Sequence, residues 1–197
     1  MKDKKTFDTQ RLVLLGIFTA IVIILQILSS LVRFGQFSIT LTLMPIAVGA
    51  ALLGIFAGVW LGFVFGAVVL ISGDANAFLM ISPAATVLIV LLKGMLAGFA
   101  AGFCYKLLGN RNKTVAAVAA AIACPVINTG VFIIGCYLFF LPVLSEWGID
   151  SGAVNVTAFI FLFLIGANFL LELGVNVVLS PAIVRLIQFK SAAKEHT

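Results

Sequence analysis

Hydrophobic positions along this chain are continuous rather than periodic. Apolar runs cover residues 12–32, 43–71, 83–107, 115–140 and 154–187. Each approaches or exceeds the roughly 20 residues needed to cross the hydrocarbon core of a bilayer. Between the first two runs the pattern changes. From Phe37, apolar Phe37, Ile39 and Leu41 alternate with Ser38, Thr40 and Thr42. That period of two suits an extended segment. No partner strand is evident, so residues 33–42 are expected to form an ordered outer loop folded over the mouth of a helical bundle.

The run 43–71 is too long for one simple span and holds glycines at 49, 54, 58, 62 and 66. A turn within 51–55 would divide it, leaving a glycine stripe on the second helix for close packing. Loop charges favour the division. With two spans here the chain has six, at 12–32, 42–53, 55–71, 83–107, 115–140 and 155–187. The basic N-terminus (Lys2, Lys4, Lys5, Arg11), the loop from Lys106 to Lys113 and the tail with Arg185, Lys190 and Lys194 then share one side. Asp74, Glu146 and Asp150 lie on the other, with Arg33 the one base there. This satisfies the preference for positive cytoplasmic loops. The expectation is an all-α membrane protein, a single compact bundle of six transmembrane helices with both termini cytoplasmic. The first run is too long for a signal-peptide core, and Ser29-Ser30 is a poor cleavage site.

Composition agrees. The 197 residues are 63% hydrophobic and only 10% charged, with mean hydropathy +1.27, which excludes a water-soluble domain. The net charge of +5 comes from loop bases and implies no nucleic-acid partner. Cys104, Cys124 and Cys136 lie in apolar segments without paired spacing, so no disulfide is expected. The single histidine, His196, is in the tail. No catalytic group, metal site or cofactor follows from these residues.

Candidate chemistry lies where polar side chains interrupt the later spans. Asn168, Glu172 and Asn176 recur every four residues and stack on one helix face. A carboxylate at that depth must face protein, a partner or a watery cavity. A polar clamp between helices is one reading; a ligand site is the other. Lys93 lies about 15 Å along its span, near mid-membrane. It could pair with Glu172 or offer a counter-charge to an anionic ligand. Asn128 follows Pro125, whose missing N–H frees a backbone carbonyl. Its amide could satisfy that carbonyl or bond a ligand. Residues 72–82 form a second outer loop in which Asp74 and Asn76 are polar; such a loop can act as a lid. The segment 142–155, with Glu146, Trp147 and Asp150, is read as a third outer loop, Trp147 suiting an interfacial anchor. The first three spans carry no charge, which suggests a polar pocket in the C-terminal half and a smooth packing surface in the N-terminal half.

Six spans in about 200 residues, a short basic N-terminus, the small pair Gly16 and Ala20, and the glycine-rich PIAVGAALLGIFAGVWLGFVFG at 45–66 resemble a known family. It is the substrate-binding S components of energy-coupling factor (ECF) vitamin transporters. The resemblance implies a multi-pass protein of the bacterial plasma membrane that binds a vitamin near the outer ends of its later helices. It implies partners too: a transmembrane scaffold contacted by the small-residue face of the first span, and two ATPases that supply energy. Ile24 stands where the commonest pattern has a third alanine. The alternatives are a structural or assembly membrane protein, or, less readily, an intramembrane enzyme.

Within that resemblance the substrate-binding residues are Lys93, Asn128, Asn168, Glu172 and Asn76, and the partner-binding residues Gly16 and Ala20. Lys93 with amide side chains suits one carboxylate plus hydroxyl or amide groups. Among the family's vitamins pantothenate fits best, since riboflavin and folate would want more aromatic surface than the helices promise.

Overall fold

The computed structural model describes residues 9–31, 33–34, 37–38, 41–166 and 168–178. Helix α1 (Thr9–Leu31) is followed by two minimal antiparallel strands, β1 (Arg33–Phe34) and β2 (Phe37–Ser38). They pair with each other, Arg33 opposite Ser38 and Phe34 opposite Phe37. The extended segment thus finds its partner within itself.

The long apolar stretch 43–71 is divided at Gly54 into α2 (Leu43–Leu53) and α3 (Ile55–Ile71). Gly54 has φ 98° and ψ 177°, a backbone geometry open to glycine and strained for any residue with a Cβ. With about 1.5 Å per residue, α2 is only about 16 Å long and α3 about 25 Å. The short helix α4 (Asn76–Leu79) follows, then α5 (Pro83–Leu108) and α6 (Lys113–Gly135). Proline opens α5 where its missing N–H costs nothing, and the Asn112 side chain caps α6 by accepting from the N–H groups of Thr114 and Val115.

Four helical stretches among the described residues are long and apolar enough to cross a membrane: Thr9–Leu31, Pro83–Leu108, Lys113–Asp150 and Val156–Val178. Two shorter apolar helices, α2 and α3, complete the bundle.

The centre is the α3–α5 contact. A Cβ on Gly58 would collide with the carbonyl oxygen of Gly98, and one on Gly62 with that of Gly94. The reciprocal collisions hold for Gly94 and Gly98. The two backbones therefore touch, as small residues allow where lipid offers no hydrophobic drive to associate. Against this pair pack α2 and α6, with Leu43, Ile46, Leu61, Phe65 and Cys124 fully buried. Helix α1 is peripheral: of its residues only Val22, Gln26 and Ser29 are buried.

A second core closes the end opposite Gly54. After α6 the chain widens into a π-helical turn, Cys136–Phe140, then continues as α7 (Leu141–Asp150). Pro142 lacks the N–H that a tight turn would use, so a wider turn just before it is the natural accommodation. The segment read as a third outer loop is thus mainly helix α7. Trp147 is not a lone surface anchor; its ring lies 5.9 Å from that of Phe78. Beyond α8 (Val156–Ala158) and a second π-helical stretch, Phe159–Gly166, the last described helix is α9 (168–178). Pro181 and the bases Arg185, Lys190 and Lys194 lie outside the described residues, as do Lys2, Lys4 and Lys5.

Candidate functional site

Lys93, Asn128, Asn168 and Glu172 come from α5, α6 and α9 and line one cavity of about 90 Å³. Their convergence follows from the packing. The glycine contact fixes α5 against α3, and α6 packs on the other side of α5. Lys93 stands one residue before Gly94, so its side chain leaves α5 beside the point of closest approach and turns into the space between α3, α6 and α9.

The Lys93 ammonium lies 5.2 Å from the centroid of the Phe132 ring and 5.8 Å from that of Phe65. These are cation–π distances. Glu172, the ion-pair partner expected for this lysine in one reading, lines the same cavity. Glu172 is buried, at 2% exposure. Its Oε1 accepts from Asn168 Nδ2 at 3.1 Å, and its backbone carbonyl accepts from Asn176 Nδ2 at 2.8 Å. The four-residue spacing therefore lets one amide reach the Glu172 carboxylate and the other its backbone carbonyl on α9. Asn176 does not reach the cavity.

Asn128 is buried at 6% exposure. Its Oδ1 has no hydrogen-bond partner among the described residues, and neither has Oδ1 of Asn168. A buried acceptor left in this way costs about 1–3 kcal/mol. Such groups in folded proteins are met by water or a ligand. Two unsatisfied amide oxygens and an ammonium facing one cavity are the chemistry of a site for a polar, anion-bearing molecule.

Asn76 takes no part in it. That residue is exposed at the start of α4, while its neighbours Asp74, Ala75 and Phe78 line the cavity. The loop 72–82 closes one end of the cavity through Phe78, whose ring meets Phe140 at 4.9 Å and Phe132 at 5.6 Å, both edge-on.

Three features of the site are absent from the sequence reading. Gln26 of α1 lines the cavity and is almost fully buried. Its Nε2 donates to Asp74 Oδ2 at 2.8 Å, and its Oε1 accepts from the Thr42 hydroxyl at 3.0 Å. The Ser72 hydroxyl also donates to Asp74 Oδ2, at 3.2 Å. One amide thus ties α1, the start of α2 and the α3–α4 loop together above the cavity. Second, Thr129 joins its neighbour Asn128 in the wall. Third, Phe65, Phe78, Phe132 and Phe169 give the cavity an aromatic wall. The division into a polar C-terminal half and a smooth N-terminal half is accordingly too sharp, because α1 and α3 both contribute. A lone glutamine in an otherwise apolar span was the available signal, since a buried amide needs partners.

Gly16 and Ala20 lie elsewhere. Both are exposed on α1, where a Cβ on Gly16 would meet nothing within 4 Å. Exposed Val13, Ile17 and Ile24 flank them.

A family model described as "ECF transporter, substrate-specific component" matches residues 10–184. No curated protein and no solved structure matches the chain.

Proposed function

The chain belongs to the family of ECF transporter substrate-specific components, and from that premise we propose that it is a vitamin-binding subunit whose ligand occupies the cavity around Lys93. The observation that carries this reading is the meeting of an ammonium with two unsatisfied amide oxygens inside a membrane-grade bundle. Lys93 would take a carboxylate; Asn128 and Asn168 would take hydroxyl or amide groups. Pantothenate has that set of groups and is the leading ligand. The aromatic wall favours a second reading, a vitamin with a flat ring seated between Phe65 and Phe132, because the argument against such ligands assumed little aromatic surface.

A cavity of about 90 Å³ is below the roughly 300–1,000 Å³ usual for small-molecule sites. Ligand entry would therefore move part of the wall. The part of the wall proposed to move is the closure made by Phe78 and the Gln26–Asp74 bond, which a loop carries.

The topology proposed is six spans with both termini cytoplasmic. It is supported by the clustering of Arg11, Lys106 and Lys113 around one end, away from Asp74 and Glu146. The exposed Gly16 and Ala20 would meet a transmembrane scaffold, with two ATPases driving the cycle.

A thermal-shift panel of vitamins on the purified chain tests the reading. A ligand at one hundred times its Kd stabilises by about 2.7 kcal/mol, so a single vitamin should raise the melting temperature well above the rest. No response from any vitamin would favour a structural role for the polar residues.

A further inference from the structure

A second cavity opens at the opposite end of the bundle, where α2 turns into α3 and α5 into α6. Arg11, Lys106 and Lys113 line it, with Tyr105 and Asn110, and no acid is among the described residues of its wall. Arg11 leans across it, its Nη2 donating to the carbonyl of Leu53 at 3.5 Å. All three bases are exposed. Among the described residues three helices begin around this cleft, α1, α3 and α6, and two end, α2 and α5, so their backbone dipoles add to the positive sign set by the side chains. Gly54, Gly102 and Gly109 are also in its wall. Apolar residues stand exposed nearby, Phe56 at 93% and Leu107 at 65%. A cluster of bases beside lipid-facing apolar surface matches an amphiphile whose head is anionic and whose tails are hydrocarbon.

We propose that this cleft binds the phosphate headgroup of an anionic phospholipid, Arg11, Lys106 and Lys113 holding the phosphate while the acyl chains run along Phe56 and Leu107. The site is separate from the cavity around Lys93. It lies where two helix pairs are joined, so an occupied headgroup would brace the α2–α3 turn against the α5–α6 turn.

Native mass spectrometry of the full chain released from mixed micelles tests this. One arm contains phosphatidylglycerol, a second phosphatidylcholine with the same acyl chains, and a third inorganic phosphate without added lipid. The expected result is one saturable phosphatidylglycerol adduct that phosphatidylcholine does not reproduce. Each of Arg11→Gln, Lys106→Gln and Lys113→Gln should weaken it about fivefold, the equivalent of about 1 kcal/mol per base. Arg111→Gln, a neighbouring base outside the cleft, should leave it unchanged. Equal retention of the two lipids would overturn the proposal, as would equal loss on Arg111→Gln, which would mean diffuse surface charge. A phosphate adduct without phosphatidylglycerol preference would make the ligand a free anion and the lipid assignment wrong. If the three variants keep their lipid adducts but lose co-purification with a scaffold protein, the cleft is a protein contact instead. Vitamin binding by the variants, monitored alongside, separates this proposal from the reading of the Lys93 cavity, which these substitutions should not touch.

Discussion

At the scale of single residues, the site is a set of polar groups whose demands the protein only partly meets. Gln26 uses both ends of its amide and Glu172 accepts at Oε1, and each fixes a neighbour: Asp74 in the first case, Asn168 in the second. Asn128 differs, since its Oδ1 is buried and has no partner among the described residues. That contrast predicts different outcomes on mutation. Asn128→Ala removes an unsatisfied acceptor, so the fold should lose little, while ligand affinity should fall about fivefold, the loss of one ordinary hydrogen bond of about 1 kcal/mol. Thermal unfolding without ligand and equilibrium binding, measured on the same preparation, separate the two effects. Loss of stability with unchanged affinity would make Asn128 a packing residue. Which of these residues could be seen in the sequence followed from depth. Lys93, Asn128, Asn168 and Glu172 stand out because a charge or amide far from either end of an apolar run is costly unless answered. Gln26 satisfies the same criterion and is still easy to pass over, because its partners Thr42 and Asp74 are 16 and 48 residues away. Phe65, Phe78, Phe132 and Phe169 could not be picked out at all. In a membrane helix both the lipid side and the protein side are apolar, so a phenylalanine at the site reads like one in lipid.

At the scale of elements, glycine does most of the positioning, and its two roles on these helices are opposite. On α3 and α5 glycines are buried at backbone contacts; on α1 Gly16 faces open space. Substitution by alanine should therefore split. Gly62→Ala forces a Cβ into the Gly94 carbonyl and should cost about 1–3 kcal/mol or more. Gly16→Ala should be neutral or slightly stabilising, since alanine is the better helix former by about 0.5–1 kcal/mol. Melting curves of the two variants give the comparison directly. A bulkier change at the exposed face has another expected result. Gly16→Leu should preserve ligand binding by the isolated chain and abolish uptake in cells that carry the whole transporter, because only assembly with the scaffold needs that face flat. Equal loss of binding would place Gly16 in the chain's own core. The helices themselves were legible, since long apolar runs admit little else. The stripe at 54, 58, 62 and 66 pointed to close packing, and the contacts of Gly58 and Gly62 show its partner to be α5. Helix α7 and the π-helical turns were not legible. Their residues are mixed, and the wide turn at Cys136–Phe140 answers to Pro142 and to packing against Phe78, neither of which leaves a period in the sequence.

For the molecule as a whole, the two cavities lie at opposite ends of one bundle, one lined by an ammonium and amides, the other by exposed bases. The glycine-tight α3–α5 pair runs between them. The proposed topology puts the first toward the outside and the second toward the cytoplasm. Single cysteines test it: in intact cells, Asn76→Cys should react with an impermeant thiol reagent and Asn110→Cys should not. Labelling at position 110 from outside would require a different number of spans. That the cavity around Lys93 holds the transported molecule through this lysine is open to a direct test by titration calorimetry. Wild-type protein and Lys93→Ala would each be titrated with the vitamin that stabilises the wild type. The account predicts a 1:1 complex that Lys93→Ala weakens by about 2 kcal/mol, roughly thirtyfold, the cost of taking the charged partner from a buried hydrogen bond. Unchanged affinity in a folded Lys93→Ala protein would contradict it, leaving that lysine a structural cation over two phenylalanine rings.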